Sequence, residues 1–321
     1  MQTLLSIRNL TINFYTYEGV VKAIDGVNLD VYKGEALGLV GETGCGKSTL
    51  ALSILKLLDP HAKIVEGEVL FNGENLLQKR EEEMRRIRGK EIAVIFQDPM
   101  TYLNPVLTIG DQITEVIIEH EDQIDKKVAE KKAIEMLRMV NMPDPKKVLS
   151  QYPHELSGGM RQRIMIAMAL CCRPKLLIAD EATSFLDVTT QRQILELIDE
   201  LRKKTDVSLI LITHDLGVVA EFCDRVAVMY AGNIVEYCDK YALFDKPYHP
   251  YTRGLLKATP DPYRELGRLE AIPGSIPNLI NPPLGCRFHP RCKFAMEICR
   301  KEKPSHVEIE PGHFVSCHLY T

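Results

Sequence analysis

Short apolar segments alternate with longer amphipathic segments over roughly the first 240 residues. This alternation is typical of a sheet flanked by helices. Two of the predicted strands, Ala36–Val40 and Leu176–Asp180, are almost wholly apolar, as expected of strands covered on both faces. The predicted strands are Val27–Val31, Ala36–Val40, Glu68–Phe71, Ile92–Phe96, Leu176–Asp180, Ser208–Thr213 and Arg225–Tyr230. The pattern therefore predicts an α/β core.

Helical periodicity replaces the strand pattern between Asp98 and Arg173. Asp125–Val140 is the clearest amphipathic helix, with apolar residues recurring three and four positions apart. We therefore predict a helical subdomain, residues 98–173, inserted into an α/β domain of residues 1–240.

Proline changes the pattern after residue 240. The segment from Lys246 to Pro283 contains eight prolines. Because proline interrupts helices, we predict only one short helix there, Tyr251–Ala258. Residues 241–321 are predicted to be a small C-terminal extension that is stabilised by something other than a large apolar core.

Charge and hydropathy limit the class of protein. The chain has 40 basic and 44 acidic residues and a net charge of −4, which argues against a nucleic-acid-binding surface. The longest apolar run, Ile164–Cys172, has about half the ~18 residues that span a bilayer. The N-terminus also lacks the basic-then-apolar pattern of a secretory signal. A role at a membrane would therefore require a separate membrane partner.

A glycine-rich segment between the strand Ala36–Val40 and a predicted helix, Ser48–Leu57, fits the pattern G-x-x-x-x-G-K-[ST]. Its glycines allow backbone N–H groups to converge on phosphates. Lys47 would reach the β- and γ-phosphates, and Ser48 would ligate Mg²⁺. The segment, called the phosphate loop below, consists of Gly41, Glu42, Thr43, Gly44, Cys45, Gly46, Lys47, Ser48 and Thr49. It predicts ATP or GTP binding.

Two carboxylates, Asp180 and Glu181, end the apolar strand that begins at Leu176. Taken alone, such a pair is more often a solvated turn. Downstream of a phosphate loop, however, Asp180 is expected to hold the Mg²⁺ shell, and Glu181 to polarise the water that attacks the γ-phosphate.

Further motifs follow in a fixed order, and each has a simpler interpretation alone. Ser157-Gly158-Gly159 would be a helix N-cap, and Gln97 or His214 a satisfied polar residue of the core. Together the motifs resemble those of the ABC ATPase family. They are Phe14 as the adenine-stacking aromatic, Gln97 of the Q-loop, the signature Leu156-Ser157-Gly158-Gly159-Met160, the D-loop Ser184-Phe-Leu-Asp187 and the switch residue His214.

The resemblance implies a P-loop ABC ATPase core in which Lys47, Gln97, Glu181 and His214 are catalytic. It also implies Gln97 as a second Mg²⁺ ligand, Tyr15 or Tyr17 as alternatives to Phe14, and a signature that contacts ATP bound by a second subunit. Two residues depart from the family pattern: Met160 replaces Gln, and Ala182 replaces Pro. Neither change removes a backbone donor or a carboxylate, so activity is expected.

The extension is similar to the C-terminal region of the oligopeptide/dipeptide importer ATPases. The resemblance lies in Pro247–Thr252, Ile272–Pro277 and Gly285–Cys292. Four cysteines follow residue 284 at wide spacing, which favours an iron–sulfur cluster over zinc or no metal, and the resemblance also points to [4Fe–4S]. The predicted ligands are Cys286, Cys292, Cys299 and Cys317, and the reserve ligands are His289, His313 and His318.

These observations predict an ATPase subunit that powers import of di- or oligopeptides. Its expected partners are a second ABC ATPase, identical or related, two transmembrane permeases and, indirectly, an external solute-binding protein. It is expected at the cytoplasmic face of the membrane as a peripheral protein. The alternatives are import of another small solute such as nickel, an ABC ATPase acting on ribosomes or DNA, and a regulatory nucleotide switch.

Overall fold

The computed structural model describes residues 2–121, 123–184, 186–259 and 271–321. Its strands are β1 (Thr3–Thr16), β2 (Gly19–Tyr32), β3 (Ala36–Val40), β4 (Ala62–Phe71), β5 (Glu74–Asn75), β6 (Ile92–Ile95), β7 (Leu176–Asp180), β8 (Ser208–Thr213), β9 (Arg225–Tyr230), β10 (Asn233–Asp239), β11 (Val307–Glu310) and β12 (His313–Val315). Its helices are α1 (Lys47–Ile54), α2 (Glu81–Ile87), α3 (Pro99–Tyr102), α4 (Ile109–His120), α5 (Lys126–Met139), α6 (Pro145–Leu149), α7 (Gly158–Leu170), α8 (Val188–Thr205), α9 (Leu216–Phe222), α10 (Lys240–Asp245) and α11 (Pro250–Ala258). The chain is thus of the α/β class.

The chain forms two compact units, of which the first contains Gln78–Ile212 and Tyr32–Glu35. In this unit β6, β7 and β8 pair in parallel, with Ile92 opposite Leu176 and Leu176 opposite Ser208. The residues of β7 before Asp180 are at most 1% exposed, because a parallel strand with neighbours on both edges is covered on both faces.

Helices α3 to α7 follow one another between β6 and β7, and no strand occurs among the described residues of that segment. The helical character predicted for residues 98–173 is therefore confirmed. Helix α5 lies within the predicted Asp125–Val140, and buries Ala133 and Leu137 on its apolar side.

The second unit contains Thr3–Val31, Ala36–Leu77 and Thr213–Thr321. One of its sheets has the strand order β2-β1-β4-β5, in which β1 and β4 are antiparallel. Other strands run in the order β11-β12-β10-β9-β3, where β3 and β9 are parallel and the remaining pairs antiparallel. Strand β3 leads directly into the phosphate loop, so this unit carries that loop.

The extension is joined to this sheet through β12, which pairs with β10. Glu236 of β10 is fully buried, and its carboxylate accepts the backbone N–H groups of Tyr248 (2.7 Å) and His249 (2.9 Å) and bonds Nε2 of His313 (2.8 Å). Burial lowers the pKa of His249 to about 4. Its neutral Nδ1 therefore accepts the N–H of Tyr251 at the start of α11.

Four of the seven predicted strands, β3, β7, β8 and β9, have the predicted bounds. The other three differ at their ends: β2 begins at Gly19, β4 begins at Ala62, and β6 ends at Ile95. Strands β1, β5, β10, β11 and β12 were not predicted. In the described parts of the chain, none of the helices combines the length and the apolar character needed to cross a bilayer.

Candidate functional site

The phosphate loop depends on glycine at two positions. A Cβ on Gly41 would lie 2.1 Å from the carbonyl oxygen of Met229, so only glycine fits beside that backbone. Gly46 has φ 109° and forms the left-handed N-cap of α1. The first turn of α1 includes Ser48 and Thr49, and the N-terminus of a helix favours the binding of an anion.

Lys47 is folded back into the loop that precedes it. The residue is 5% exposed, and Nζ donates to the carbonyl oxygens of Gly41 (2.8 Å) and Glu42 (3.2 Å). Burial raises the pKa of the neighbouring Cys45 thiol. The loop therefore combines a helix N-terminus and one ammonium group in one short segment, and this combination is suited to binding phosphates.

In the other unit, Glu181 lies directly after β7 and has φ 46°. This left-handed conformation is uncommon for a residue with a side chain. Its backbone N–H donates to the carbonyl oxygen of Ile212 (3.1 Å), and its Oε2 accepts from Nε2 of Gln97 (3.0 Å) and Oγ of Ser184 (3.3 Å). The structure thus brings the predicted residues Gln97 and Glu181 into direct contact.

Asp180 is half-buried at the end of β7, opposite Ile212 of β8. Carboxyl ends of neighbouring parallel strands lie at one edge of a sheet, where ligand sites in α/β proteins occur. Two carboxylates therefore lie next to each other in sequence at such an edge.

The predicted signature is the N-terminus of α7. Ser157 is the N-cap and its Oγ accepts the N–H of Met160 (3.3 Å). Gly158 and Gly159 are the first helical residues. A Cβ on Gly159 would lie 2.9 Å from Cγ2 of Thr190, so this turn packs closely against α8.

Asp187 is the N-cap of α8, and its carboxylate accepts the backbone N–H (3.0 Å) and the Oγ1 hydroxyl (2.6 Å) of Thr190. These hydrogen bonds lower the pKa of Asp187. Phe185, the second residue of the predicted D-loop, lies outside the described residues.

The last two predicted nucleotide contacts belong to the unit with the phosphate loop. His214 follows β8 and is exposed, and Phe14 is half-buried in β1 opposite Ala62. Tyr15 is 44% exposed with Nζ of Lys63 5.2 Å from its ring centroid, and Tyr17 is fully exposed. The three aromatic residues thus lie at the end of β1 or directly after it.

The four cysteines of the extension are free thiols, and Cys286 is near enough to the other three to interact with them electrostatically. Burial raises the pKa of Cys286 and Cys317 to about 11, and charge on any of the other three cysteines also raises the pKa of Cys286. Each sulfur accepts a backbone N–H. The donors are Phe288 for Cys286, Phe294 for Cys292, Met296 for Cys299 and Leu319 for Cys317.

The spacing of the sulfur atoms bears on which metal would fit. Four thiolates on one zinc ion, each at ~2.3 Å, lie about 4 Å apart. Within the described residues, no three of these four sulfurs lie within 4.8 Å of one another. In this conformation the four sulfur atoms therefore do not form the compact ligand set of a bound zinc ion.

The predicted reserve ligands have other partners. His313 bonds Glu236, Nδ1 of His289 lies 2.9 Å from the carbonyl oxygen of Cys286, and Nε2 of His318 lies 2.9 Å from that of Glu302. Glu236 and His313 also form a compact buried group with Cys238. Since hydrogen bonds from the extension already occupy both oxygens of Glu236, we interpret this group as an attachment point of the extension.

The sequence of the chain matches known proteins along nearly its whole length. Residues 24–184 match the model of the ABC transporter family, and residues 235–299 match the model of the oligopeptide/dipeptide transporter C-terminal region. The dipeptide transport ATP-binding protein DppD of Bacillus subtilis is 51% identical over 320 residues, which cover 99% of this chain and 95% of DppD. The oligopeptide transport ATP-binding protein OppD of the same organism is 52% identical over 319 residues, covering 98% of this chain and 88% of OppD.

A solved structure has the same core fold. It is the dimeric, post-hydrolysis state of the ATP-binding cassette MJ0796 bound to ADP and Pi, with a TM-score of 0.66 and 28% identity. The match covers 74% of this chain and 98% of that cassette.

Proposed function

The chain belongs to the ABC transporter family, and from this membership we propose that it is the ATP-hydrolysing subunit that powers import of di- or oligopeptides. The single observation that carries the proposal is that relatives about half identical along nearly the whole chain are named as dipeptide and oligopeptide transport ATP-binding proteins. The match of residues 235–299 to the C-terminal region of those transporters supports the same substrate class.

For the chemistry, we propose that residues 1–240 are the ATPase domain, with residues 98–173 as its helical subdomain. The phosphate loop binds the triphosphate through its backbone N–H groups and Lys47. Phe14, or in its place Tyr15 or Tyr17, stacks on adenine. Glu181 orients and polarises the attacking water, and its hydrogen bonds from Gln97 and Ser184 keep the carboxylate in position.

His214, Asp180 and the signature complete the proposed set. His214 acts as the switch residue, and Ser157, Gly158, Gly159 and Asp187 contact nucleotide held by a second subunit. The proposed Mg²⁺ ligands are Ser48 and Gln97, with Asp180 in the ion's shell; hydroxyl, amide and carboxylate oxygens are the donors that Mg²⁺ prefers. When bound, the ion offsets the negative charge of the phosphates.

The partners follow from the family. The protein is the ATPase of a membrane transporter and functions as a dimer with transmembrane permeases. We propose two permeases, an external solute-binding protein that acts through them, and a peripheral position on the cytoplasmic face. The dimeric state of the related cassette bound to ADP and Pi supports the pairing of two ATPase subunits.

Peptide uptake tests the function. Deleting the gene should abolish uptake of a labelled dipeptide by cells, and the wild-type gene should restore it, whereas a Lys47→Ala gene should not. A Lys56→Ala gene, altered in the same region but outside the phosphate loop, is the control and should restore uptake. If deletion abolishes nickel uptake and leaves peptide uptake intact, the assignment of peptides as the substrate is wrong. If deletion leaves both nickel and peptide uptake intact, the assignment as a transport ATPase is wrong.

For residues 241–321 we propose an extension whose four cysteines hold a [4Fe–4S] cluster. The donor set is suitable, because thiolates are the usual cluster ligands and N–H groups donating to sulfur favour the charged form. Burial raises the pKa of Cys286 and Cys317 to about 11, so a bound cation would favour their thiolate form. Zinc remains the alternative. A bound cluster would crosslink four chain segments and so stabilise the extension.

Metal analysis tests the cluster. The protein purified without oxygen should be brown and contain about four iron and four sulfide per chain, and Cys292→Ser should remove most of both. Cys223→Ala, which changes a buried cysteine outside the extension, should leave them unchanged. A colourless protein with one zinc per chain would refute the cluster and favour the alternative.

A further inference from the structure

The extension contacts the phosphate loop directly, through Glu42. The guanidinium group of Arg291 donates from Nη1 to Oε2 of Glu42 (2.7 Å) and from Nη2 to Oε1 (3.0 Å). The Arg291 side chain is 5% exposed, whereas that of Glu42 is 31% exposed. A bidentate ion pair of this kind has a fixed geometry, and because it is shielded from water it is stronger than a surface ion pair.

A second side chain of the extension holds the backbone of the same loop residue. The N–H of Glu42 donates to Oη of Tyr251 (3.0 Å). Tyr251 is fully buried, and its ring packs against Tyr230 and Phe288 with centroids 4.6 and 5.4 Å away. The position of Oη is therefore fixed by packing.

Arg291 is itself anchored before it reaches the loop. Its Nε donates to the carbonyl oxygen of Pro273 (2.8 Å), and its guanidinium carbon lies 5.7 Å from the ring centroid of Tyr230. It ends the short 3₁₀ turn His289–Arg291 and precedes Cys292. The cysteine-rich segment and the phosphate loop are thus connected by one side chain.

We infer that Arg291 and Tyr251 are positioning residues for ATP, which hold Glu42 so that the phosphate loop is ready to bind the triphosphate. This inference rests on the proposed assignment of residues 41–49 as that loop. Two physical effects contribute. A loop already held in its binding conformation loses less entropy when the nucleotide binds. Arg291 also offsets the charge of a carboxylate that would otherwise repel the triphosphate.

The charge effect provides a test that a purely structural role would not pass. In the full-length protein with its metal site intact, Arg291→Met should raise the Kd for Mg·ATP about tenfold and change kcat at saturating ATP much less. Adding Glu42→Gln to Arg291→Met should restore the Kd to within about threefold of the wild-type value, because the unpaired charge is removed. Tyr251→Phe, which retains the ring, should raise the Kd by a smaller factor.

The control for packing is Arg253→Met. Arg253 also anchors the extension, through the carbonyl oxygen of Pro247 (2.8 Å) and Oη of Tyr320 (3.0 Å), but these contacts do not involve the phosphate loop. It should lower the Tm and leave the Kd unchanged. An equal loss of Tm in both arginine variants, with the Kd altered only in Arg291→Met, would support the inference.

Lys47→Ala separates the inference from the assignment on which it rests. If Lys47→Ala leaves the Kd unchanged, residues 41–49 are not the phosphate-binding loop. If Lys47→Ala abolishes binding but Arg291→Met leaves the Kd at the wild-type value, the loop is correct and Arg291 is not a positioning residue. A raised Kd in Arg291→Met that Glu42→Gln fails to lower would likewise overturn the role of charge compensation.

Discussion

Glu181→Gln should nearly abolish ATP turnover and leave ATP binding intact. Glutamine has almost the shape of glutamate but a very weak basicity, so the water loses its polarising group while the fold is retained. General-base catalysis contributes about 10²- to 10⁴-fold to a rate, and we expect kcat to fall by at least 10²-fold. The measurement is phosphate release at saturating ATP, combined with the Kd for Mg·ATP.

The surroundings of Glu181 make this loss specific. Its left-handed backbone is stabilised by the N–H bond to Ile212, and its carboxylate accepts hydrogen bonds from Gln97 and Ser184. The substitution changes none of the backbone contacts. Glu200→Gln, on the exposed side of α8 in the same unit, is the matched control and should retain wild-type turnover. A kcat for Glu181→Gln within tenfold of wild type would show that another group is the base.

Strands β3 and β7 were predicted to the residue because both are short, apolar on both faces and followed by a sharp change in composition. Strand β1 was missed for a physical reason. Asn9 has φ 44°, and the pairing with β4 shifts between Arg8 and Thr11. Such a bulge breaks the two-residue alternation by which a half-buried strand is recognised.

The motifs of the candidate site can be identified from the sequence because they are local. Each is a few residues long and lies at the end of a strand or helix. The ion pair between Arg291 and Glu42 cannot be predicted from the sequence, because 249 positions separate the two residues and neither segment contains a pattern that indicates its partner. The same holds for Glu236, which is buried within the sheet and receives three hydrogen bonds from the extension. A charged residue inside an otherwise apolar strand was the available signal.

Gly158→Asp should eliminate ATP-dependent dimerisation and turnover but preserve the fold and the binding of ATP by single subunits. An aspartate in the first turn of α7 is favourable for the helix, since its charge complements the positive end of the helix dipole. The same charge would face the γ-phosphate held by the second subunit and repel it, so the Tm should stay equal or rise while the ATPase rate falls at least 10²-fold. Dimerisation would be measured by size-exclusion chromatography with Mg·ATP. The measurement uses the Glu181→Gln background, in which the dimer does not dissociate through hydrolysis of ATP.

Gly158→Ala is the matched control for this prediction. A Cβ at residue 158 would lie 3.6 Å from Cδ2 of Leu186, which is an ordinary van der Waals contact, so the methyl group fits and most of the turnover should remain. The charge, and not the added volume, is therefore what distinguishes the two variants. Gly159→Ala is unsuitable for this purpose, because its Cβ would lie only 2.9 Å from Cγ2 of Thr190. If Gly158→Asp still dimerises with ATP and hydrolyses it at the wild-type rate, the N-terminus of α7 does not contact the partner's nucleotide, and Ser157–Gly159 has only the role of a helix cap.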